Sequence, residues 1–462
     1  MKIVVCIRRG PDGELCPFDA CAYEAALAVG GAEVTLLMMA PRENAEFLAQ
    51  LTRLGPARAI LLSDPAFAGA DTLATAYALL CAIKKLDPDL VFCGRQTLVG
   101  DTGQVGPMLA TLLGIPLLCG VMGIEKIDGG KVTCTTRGGA VSAPLPALLT
   151  LERINTLRFP SLFSSVGAVE AFSLSDIAAD PAKCGLRGSP TRVLATFENN
   201  AGRRKCKFVD KTELAALIKE AKGRPARQIP TAPSTGKLKT VFSVGVSPLP
   251  YAKTVCDGVT VLEDMPAEEL VRRIEQDKPD AVLFGSDPQS KALAAKIAAT
   301  LSLGLCADCT RLEAVDGELI MYRPALSGSI LAKIKSLTRP ALATVRTVEP
   351  AEDTVIAVGA GAKDALDAIK TFAASVGACI GASRKAVDAG IAPYAAQVGL
   401  TGRTVSPNVY VAVGISGAVQ HIVGMQRAGT VIAINPDRAA PIFDYADYGI
   451  LAKAREVFPN EE

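Results

Sequence analysis

Short runs of β-branched and other apolar residues alternate with alanine-rich stretches from the start of the chain, and this alternation constrains the fold more than any other feature. The runs at 2–7, 33–38, 59–62 and 90–93 are apolar nearly throughout, and helical stretches at about 20–29, 43–53 and 71–86 lie between them. Strands of this kind belong to parallel sheets that helices cover on both faces. The sequence therefore predicts the α/β class.

A weak internal repeat indicates two related domains. Residues 87–94 (DPDLVFCG) recur as residues 278–285 (KPDAVLFG), and each copy leads into an Ala- and Leu-rich helix and then to an Asp-Gly pair, Asp128-Gly129 or Asp316-Gly317. Asp-Gly between two strand-like runs is a hairpin turn signal. We therefore expect two related Rossmann-like nucleotide-binding domains. A C-terminal parallel-sheet domain should follow, with strands at 354–358, 378–380, 408–413 and 430–434.

Composition suggests the boundaries between these domains. Residues 223–239 (GRPARQIPTAPSTGKLK) are rich in Pro, Thr, Ser and basic residues, as linkers are. Residues 191–222 contain a strand-like piece and a short amphipathic helix at 211–221, which we expect to pack on a neighbouring domain. The expected organisation is a domain at 1–222, a linker at 223–239, a domain at 240–350 and a third domain at 351–462.

Charge and residue usage exclude several classes of function. A formal net charge of +2 is too small for a nucleic-acid footprint, and the chain has no apolar run of about 18 residues that would span a membrane. The single histidine, His421, excludes multi-histidine metal sites, and we expect no metal. The thirteen cysteines are expected to be reduced, mostly buried thiols. Because the first residues also lack a signal-peptide pattern, we expect a cytoplasmic protein.

The strands of the C-terminal domain are predicted to end in residues that can bind a phosphate-bearing cofactor. The four ends carry Gly359-Ala360-Gly361, Gly381-Ala382-Ser383-Arg384, Gly414-Ile415-Ser416-Gly417 and Asn435-Pro436-Asp437. In open parallel sheets, ligands bind at the carboxyl ends of the strands, where glycines let the backbone approach a phosphate. Glycine and serine also serve as ordinary turn residues and helix caps. Four such ends on one edge favour a nucleotide-type cofactor, whose identity the spacing leaves open.

Longer motifs resemble a known family. The segments GASR (381–384), QVGLTG (397–402), YVAVGISGAVQH (410–421), AIN (433–435) and APIFDYADYG (440–449) resemble the flavin domain of electron transfer flavoprotein alpha subunits. Residues 305–345 resemble the first domain of the same subunit. Pro17-Phe18-Asp19 and the segment GRQTLVGDTGQVGP (94–107) resemble the beta subunit. Nearly the whole chain is covered, as a beta subunit fused to an alpha subunit.

The resemblance implies FAD in the C-terminal domain. It places Arg384 beside the isoalloxazine, where a cation favours the extra negative charge of a reduced flavin, Thr401 near N5 and His421 at the pyrimidine edge. The residues implied at this site are Ser383, Arg384, Gln397, Val398, Gly399, Leu400, Thr401, Gly414, Ser416, Gly417, Ala418, Val419, Gln420, His421, Asn435, Asp447 and Tyr448, with Asn435 and Asp447 on the phosphate or adenosine portion. Two positions depart from the family pattern, because Ala360 replaces an arginine and Leu400 replaces a glutamine.

Beta subunits hold a second adenine nucleotide, and here its identity stays open between FAD, AMP and an empty or altered site. The residues implied are Cys6, Pro17, Phe18, Asp19, Gly94, Gly100, Asp101, Thr102, Gln104 and Val105. The compact GDTGQVGP segment is closer to the electron-bifurcating members, which bind FAD. Val99 and Cys16 instead replace polar residues of those members.

Beta subunits also dock on acyl-CoA dehydrogenases through a loop with a leucine anchor, and Leu162 is the matching residue here. The lysines that usually follow are missing, since residues 163–172 contain no basic side chain, and a purely structural loop is the alternative.

The resemblance implies an electron carrier of the fatty acid beta-oxidation type rather than an enzyme with catalytic residues of its own. Such a carrier delivers electrons to a quinone reductase or a ferredoxin. Two alternatives are an NADH-oxidising bifurcating flavoprotein with two FAD and a redox-inactive nucleotide-binding protein. With both halves in one chain, we expect a monomer that mimics the usual heterodimer.

Overall fold

The computed structural model describes residues 1–55, 57–153, 155–199, 202–223, 236–263, 265–326, 328–346, 353–400 and 402–459. The chain forms two compact units. The first unit comprises Met1–Ala195, Ala232–Leu326 and Ala332–Val345, and the second comprises Thr196–Thr231, Ser327–Leu331 and Arg346–Glu462.

The N-terminal part of the first unit is a nine-stranded sheet with helices. Its strands are β1 Lys2–Ile7, β2 Glu33–Met39, β3 Ala57–Leu62, β4 Leu90–Gly94, β5 Leu117–Asp128, β6 Lys131–Thr136, β7 Gly139–Pro144, β8 Ala147–Leu151 and β9 Val169–Phe172. Its helices are α1 Pro17–Leu27, α2 Ala45–Leu51, α3 Thr72–Leu86, α4 Val105–Leu113 and α5 Gly185–Gly188. The order is β7-β6-β5-β8-β4-β1-β2-β3-β9, parallel except for the pairs β5–β6 and β6–β7. The strands predicted near residues 2, 33, 59 and 90 are confirmed.

A connecting segment and a second α/β part follow. The segment holds β10 Thr191–Glu198, β11 Lys207–Phe208 and α6 Leu214–Ala221. The second part holds strands β12 Val241–Val244, β13 Val259–Leu262, β14 Ala281–Phe284, β15 Leu305–Cys309, β16 Arg311–Val315, β17 Glu318–Ala325, β18 Ile330–Ser336 and β19 Ala341–Val345, and helices α7 Leu249–Val255, α8 Ala267–Asp277 and α9 Pro288–Leu301. Strands β13-β12-β14-β19-β15 form a parallel sheet, and β10-β18-β17-β16 form another sheet.

The internal repeat has the same local structure in both copies. Asp87 and Lys278, which directly follow α3 and α8, both take left-handed backbone conformations, with φ of 47° and 45°. Two residues later, the Asp89 and Asp280 carboxylates accept backbone N–H bonds from the start of a neighbouring strand, at 2.8 Å from Lys2 and 2.8 Å from Lys239. The predicted hairpins are confirmed as the antiparallel pairs β5–β6 and β16–β17.

The second unit is built on a parallel six-stranded sheet. Its remaining strands are β20 Thr354–Val358, β21 Cys379–Ala382, β22 Val409–Val413, β23 Thr430–Ile434 and β24 Tyr448–Ile450, and its remaining helices are α10 Leu366–Ser375, α11 Arg384–Asp388, α12 Val419–Met425 and α13 Ala454–Val457. The order is β11-β24-β23-β22-β20-β21. All four predicted strands of this domain are confirmed to within two residues. Their interiors are buried on both faces, which explains their continuous apolar character.

The segment at 202–223 is part of the second unit, and the expected boundary at 222 does not follow the compact units. Strand β11 pairs with β24, and Leu214, Leu217 and Ile218 of α6 share a core with β20. The amphipathic pattern of α6 shows that the helix needs an apolar surface, but it does not specify which domain supplies that surface.

One buried arginine fixes this segment to the second unit. The Arg204 side chain is 1% exposed and forms an ion pair with Asp447. It also donates to the carbonyl oxygens of Ala428 at 2.6 Å and Gly429 at 2.9 Å. These carbonyls lie just beyond the end of α12, where the helix dipole favours a cation. No motif in the sequence indicated this contact, because Arg204 lies 222 or more residues from its partners.

Candidate functional site

The strand order of the second unit defines a crevice. Strand β20 lies between β21 and β22, so the chain passes to opposite sides of β20 after successive strands. In open α/β sheets, the crevice outside the carboxyl ends of the strands at such a switch point is where ligands bind. The loops that begin at Gly359, Ser383 and Gly414 all start at this edge.

The glycines of this edge pack mainly against other backbone. A Cβ atom on Gly359 would lie 2.1 Å from the Gly414 carbonyl oxygen, and one on Gly417, whose φ is +90°, would lie 2.2 Å from the Ile442 nitrogen. The loops after β20 and β22 therefore touch each other directly. Close packing between the loops explains why glycine stands at these positions. The sequence had suggested a different reason, the close approach of a phosphate to the backbone.

Ser383 and Arg384 follow β21. The Ser383 hydroxyl accepts a hydrogen bond from the Ala386 amide at 3.3 Å and so caps α11. Arg384 is the first residue of α11, and its Nε lies 3.3 Å from the Asp388 carboxylate one turn later. The Arg384 side chain is 28% exposed and Asp388 is 57% exposed. Arg384 therefore places a positive charge at the crevice, and the Asp388 carboxylate of the same helix partly neutralises it.

The loop at 397–403 attaches to the end of β21. The Val398 amide donates to the Ala382 carbonyl at 2.8 Å, and the Arg403 amide donates to Gln397 at 2.7 Å. Gln397 and Val398 are buried, Gly399 has a φ of +141°, and Leu400 is half-buried. Thr401 lies outside the described residues.

The opposite wall comes from the loop after β22 and the first turn of α12. Ser416, Ala418 and Gln420 are exposed, Val419 is half-buried, and His421 is buried. Asn435 follows β23, and its amide donates to the Ile415 carbonyl at 3.0 Å and accepts from the Asp437 amide at 2.9 Å. Asn435 thus joins the loops after β22 and β23 and supports the wall.

Asp447 and Tyr448 lie at the start of the short strand β24, where Tyr448 is level with Ile432 in the middle of β23. Tyr448 is the first residue of β24, and Asp447 precedes it. The Asp447 carboxylate accepts a hydrogen bond from the Val431 amide, at the start of β23, at 2.8 Å, and it pairs with Arg204. Asp447 therefore lies toward the edge where the parallel strands begin, and the crevice lies at the edge where they end.

His421 uses both ring nitrogens within the protein. Nδ1 lies 3.1 Å from the Val398 carbonyl oxygen and Nε2 lies 2.9 Å from the Tyr410 hydroxyl. Burial lowers the pKa of His421 to about 4, with the Val398 carbonyl acting weakly in the other direction. Sequence reasoning missed Tyr410. A buried tyrosine in the otherwise aliphatic strand VYVAV was a signal that its hydroxyl needs a partner.

A second switch point lies in the first unit, where β1 separates β2 from β4. Here the Asp19 carboxylate accepts hydrogen bonds from the Arg8 amide at 2.9 Å and the Gly94 amide at 3.2 Å, and so joins the ends of β1 and β4. A Cβ atom on Gly94 would lie 2.3 Å from Asp19 and 2.8 Å from Phe18. Phe18 and Asp19 therefore pack directly over Gly94, and Asp19 occupies the amides at the ends of both strands.

The loop after β4 contains a buried polar group without a partner. Gln104 is 2% exposed, and its Oε1 accepts from the Thr72 hydroxyl at 2.8 Å, but its Nε2 has no hydrogen-bond partner among the described residues. Buried amide groups are normally satisfied, so this nitrogen points to a ligand or water in the loop. Thr102 and Val105 are half-buried beside it, and Cys6, the last residue but one of β1, is in register with Cys93.

Arg323 of β17 supports the same loop from behind. Its guanidinium donates to the Gly100 carbonyl at 2.7 Å, the Asp101 carbonyl at 3.3 Å and the Ala307 carbonyl at 2.8 Å. Asp101 has a φ of 52° and accepts from the Gln96 side chain at 2.5 Å. No motif in the sequence indicated Arg323, because Gly100 and Asp101 lie more than 200 residues before it.

Two buried groups give the two units opposite pH dependences of stability. Because the pKa of His421 falls from 6.5 to about 4, the unfolded chain binds a proton between these pH values that the folded second unit does not. This stabilisation is complete above pH 6.5 and is lost as the pH falls toward 4, by roughly 3 kcal/mol.

Burial raises the pKa of Asp19 from 3.8 to about 7, although its two amide hydrogen bonds act the other way. The first unit should therefore gain stability as the pH falls from 7 to 4, by roughly 4 kcal/mol.

Hydrogen exchange of each unit, followed by mass spectrometry over this pH range, measures both trends. After correction for intrinsic exchange, amide protection should fall in the second unit and rise in the first as the solution is acidified. In an Asp19→Asn variant, the rise in the first unit should disappear while the second unit keeps its trend. Parallel behaviour of the two units would contradict the assigned protonation states.

Family models match most of the chain. A model described as "Electron transfer flavoprotein domain" matches residues 3–175 and 263–375, and one described as "Electron transfer flavoprotein FAD-binding domain" matches residues 350–426. The second match covers β20, β21, β22 and α12, which surround the crevice.

None of the helices described is long and apolar enough to cross a bilayer. No metal-binding group of three His, Cys, Asp or Glu side chains occurs in the described parts of the chain.

Individual relatives match one half of the chain each. Protein FixA of Azorhizobium caulinodans is 39% identical over 262 residues, covering 48% of this chain and 93% of FixA. Electron transfer flavoprotein subunit beta of Thermoanaerobacterium thermosaccharolyticum is 39% identical over 210 residues, covering 43% of this chain and 80% of that subunit. Electron transfer flavoprotein subunit alpha of Syntrophomonas wolfei is 32% identical over 274 residues, covering 48% of this chain and 86% of that subunit. The beta-type relatives match the N-terminal half and the alpha-type relatives match the C-terminal half.

The parallel sheets and the FAD-binding match define an α/β flavoprotein. The chain belongs to the electron transfer flavoprotein family, with a beta-like and an alpha-like part joined in that order. The residues at the crevice fit FAD. Arg384 supplies a cation there, Ser383 caps the start of α11, and Ser416 and Gln420 present exposed polar side chains at the same switch point.

Proposed function

We propose that the chain carries electrons between redox partners through FAD held at the β20 switch point of the second unit. The observation that carries this proposal is the position of Arg384, Ser416 and Gln420 on the strand ends that flank this point, within the segment matched by the FAD-binding model. FAD supplies the ability to take up and release electrons. The protein's residues bind the cofactor, orient it and set its potential.

Each side chain at the crevice has a defined task in this proposal. Arg384 places positive charge where reduction adds negative charge, and Asp388 moderates that charge. Ser416 and Gln420 offer neutral hydrogen bonds from exposed positions. Ala360 supplies no charge where the family pattern has arginine, so Arg384 carries a larger share of the electrostatic effect.

Electron transfer through the loaded chain tests the proposal. The FAD-loaded protein, reduced in the absence of air, should be reoxidised by a one-electron acceptor such as ferricenium, with two acceptors reduced per FAD. A protein that binds FAD but exchanges no electrons with small redox dyes would favour the redox-inactive alternative.

The first unit supports a second candidate, an NADH-oxidising bifurcating flavoprotein. The specific observation is the unpartnered Gln104 Nε2 at the β1 switch point, which suits a bound nucleotide. FAD there would favour bifurcation, and AMP would favour a simple carrier. Mass spectrometry of nucleotides released from the purified chain distinguishes FAD, AMP and an empty site.

We further propose that the loop at 155–163 docks on an acyl-CoA dehydrogenase-type flavoenzyme, with a quinone reductase or a ferredoxin as acceptor. Phe159, Leu162 and Phe163 are 92%, 93% and 97% exposed. Arg158 holds the base of the loop through hydrogen bonds to Glu24 of 2.7 and 3.0 Å. Three large apolar side chains in so short a stretch mark an interaction surface.

All thirteen cysteines are free, which supports the proposal of a reducing, cytoplasmic compartment.

Replacing Leu162 with alanine should weaken docking and leave the FAD content unchanged. Truncating an interface anchor costs about 2 kcal/mol, or roughly thirtyfold in the partner concentration needed for half-maximal rate. Leu186→Ala is the matched control, because Leu186 is also exposed, at 56%, in the same unit. Stopped-flow electron transfer from a medium-chain acyl-CoA dehydrogenase measures the effect. Equal rates for the two variants would leave the loop as a structural element.

A further inference from the structure

The three most exposed large apolar side chains of the described residues lie in one short loop of the first unit. Phe159, Leu162 and Phe163 are 92%, 93% and 97% exposed, whereas the next in order, Val246, is 64% exposed. Single exposed apolar residues are normal on protein surfaces, but a cluster of large ones marks a site of association. The resemblance to beta subunits accounts for Leu162 alone, so the two phenylalanines need an explanation of their own.

A tight turn holds the tip of this loop in one conformation. The Ser161 carbonyl accepts hydrogen bonds from the Ser164 amide at 3.1 Å and the Ser164 hydroxyl at 2.7 Å. The Ser161 hydroxyl accepts a further bond from the Phe163 amide at 3.3 Å. Pro160 precedes the turn, and its ring fixes the backbone φ angle there. Leu162 and Phe163 therefore project from a fixed backbone.

Both ends of the loop are attached to the body of the first unit. At one end, the Arg158 guanidinium donates to the Glu24 carboxylate of α1 at 2.7 Å. At the other end, the Gly167 amide donates to the Thr52 hydroxyl at 2.7 Å. A loop that is already ordered loses less conformational entropy when a partner binds it. The apolar side chains are thus presented in a form ready for docking.

The surface around these side chains is uncharged. Residues 159–169 (FPSLFSSVGAV) contain no ionisable side chain. The nearest charges along the chain are paired within the protein, Arg158 with Glu24 at 2.7 Å and Glu170 with Arg58 at 2.5 Å. A charged group of a partner would lose its hydration against this surface and gain no ion pair in return. A partner that fits must therefore present an apolar, uncharged surface.

We propose that Phe159, Leu162 and Phe163 form a three-point apolar anchor that selects a dehydrogenase whose docking groove is apolar and uncharged. The inference rests on the proposed docking of this loop and specifies the chemistry of its partner. Aromatic side chains bury about 150–250 Å² each, so the two phenylalanines supply most of the contact area. Because no charge pair contributes, added salt should change the affinity very little.

Truncation of the phenylalanines at two salt concentrations tests the anchor. Biolayer interferometry with an immobilised medium-chain acyl-CoA dehydrogenase gives the dissociation constant of the purified chain. It should change by less than about twofold between about 20 mM and about 500 mM sodium chloride. Phe159→Ala and Phe163→Ala should each raise it roughly thirtyfold. Phe197→Ala is the matched control with no expected effect, because Phe197 is also exposed, at 49%, but lies in β10.

Two substitutions of opposite charge test the chemistry of the partner. Ser165 is exposed and lies two residues after Phe163. On an uncharged groove, Ser165→Lys and Ser165→Glu should both weaken binding, with dissociation constants within about threefold of each other. An acidic groove would favour the lysine and repel the glutamate. A difference of more than about tenfold at low salt would overturn the proposal.

The remaining outcomes separate this inference from the proposed function. A complex that shows these responses but passes no electrons to the flavin would refute the electron-carrier function and leave the anchor intact. The anchor would be refuted if the dehydrogenase forms no complex, or if both phenylalanine variants bind as tightly as Phe197→Ala. Analytical ultracentrifugation addresses self-association, and the chain should sediment as a monomer. A dimer that Phe163→Ala dissociates would assign the loop to a second copy and contradict the proposal.

Discussion

Replacing Arg204 with alanine is expected to lower the free energy of unfolding of the second unit by about 3–5 kcal/mol. The substitution removes a guanidinium that is 1% exposed, and it leaves the Asp447 carboxylate without its cation and the Ala428 and Gly429 carbonyls without their donor. The buried Ala428 and Gly429 carbonyls account for much of this cost, because Asp447 is 30% exposed and keeps its hydrogen bond from the Val431 amide. Strand β11 and helix α6 follow Arg204 closely in the chain and should loosen with it.

Urea denaturation monitored by hydrogen exchange of the second unit measures this change. Arg203→Ala is the matched control, since Arg203 is the exposed neighbour and its loss should cost less than about 0.5 kcal/mol. The first unit should be unaffected by both substitutions. An Arg204→Ala variant no less stable than Arg203→Ala would show that the segment at 202–223 is not fixed by this contact.

Replacing Arg384 with alanine is expected to lower the reduction potential of the bound flavin. A charge pair about 4 Å apart interacts by roughly 4 kcal/mol at an effective dielectric constant of 20, which is an upper limit. Partial exposure of Arg384 and its pairing with Asp388 reduce the effect to roughly 1–2 kcal/mol. This corresponds to a drop of about 40–90 mV per electron.

The partner residue provides a control of opposite sign. Asp388→Asn removes a negative charge from the same helix and should raise the potential, by less than Arg384→Ala lowers it, because Asp388 is more exposed. Spectroelectrochemical titration of both variants, each with its FAD content measured first, gives the two shifts. Shifts of the same sign would show that Arg384 does not act on the flavin through its charge. Loss of FAD from Arg384→Ala would indicate an anchoring role instead.

The sequence predicted local features well. The strands of the second unit follow from apolar runs such as VYVAV and TVIAI, because strands buried on both faces need no polar positions. The crevice follows from the rule that parallel strands end on one edge, and Ser383, Arg384 and Ser416 all lie there. The repeat was visible as DPD and KPD, and its aspartates make equivalent contacts in both copies.

Contacts between distant positions were not predictable from one sequence. Arg204, Arg323 and Tyr410 are ordinary residues in their local context, and only the fold shows what each one binds. Asp447 shows the converse. Its place in a long family-like motif suggested cofactor binding, but it lies at the start of β24, toward the edge where the parallel strands begin. The glycines were assigned to the correct turns, while their contacts with neighbouring loops depend on the packing of four strand ends.

FAD binding to the second unit is the central claim, and the absence of tryptophan from the chain allows a direct measurement. A Lys385→Trp variant places one fluorophore on exposed α11, beside Arg384, and a Leu186→Trp variant places one in the first unit. We predict that the visible absorbance after gel filtration shows at least one bound FAD per chain. The same amount of FAD should strongly quench the tryptophan fluorescence of the Lys385→Trp variant. Chains that retain no FAD, or that retain FAD without quenching of the Lys385→Trp variant, would contradict the account.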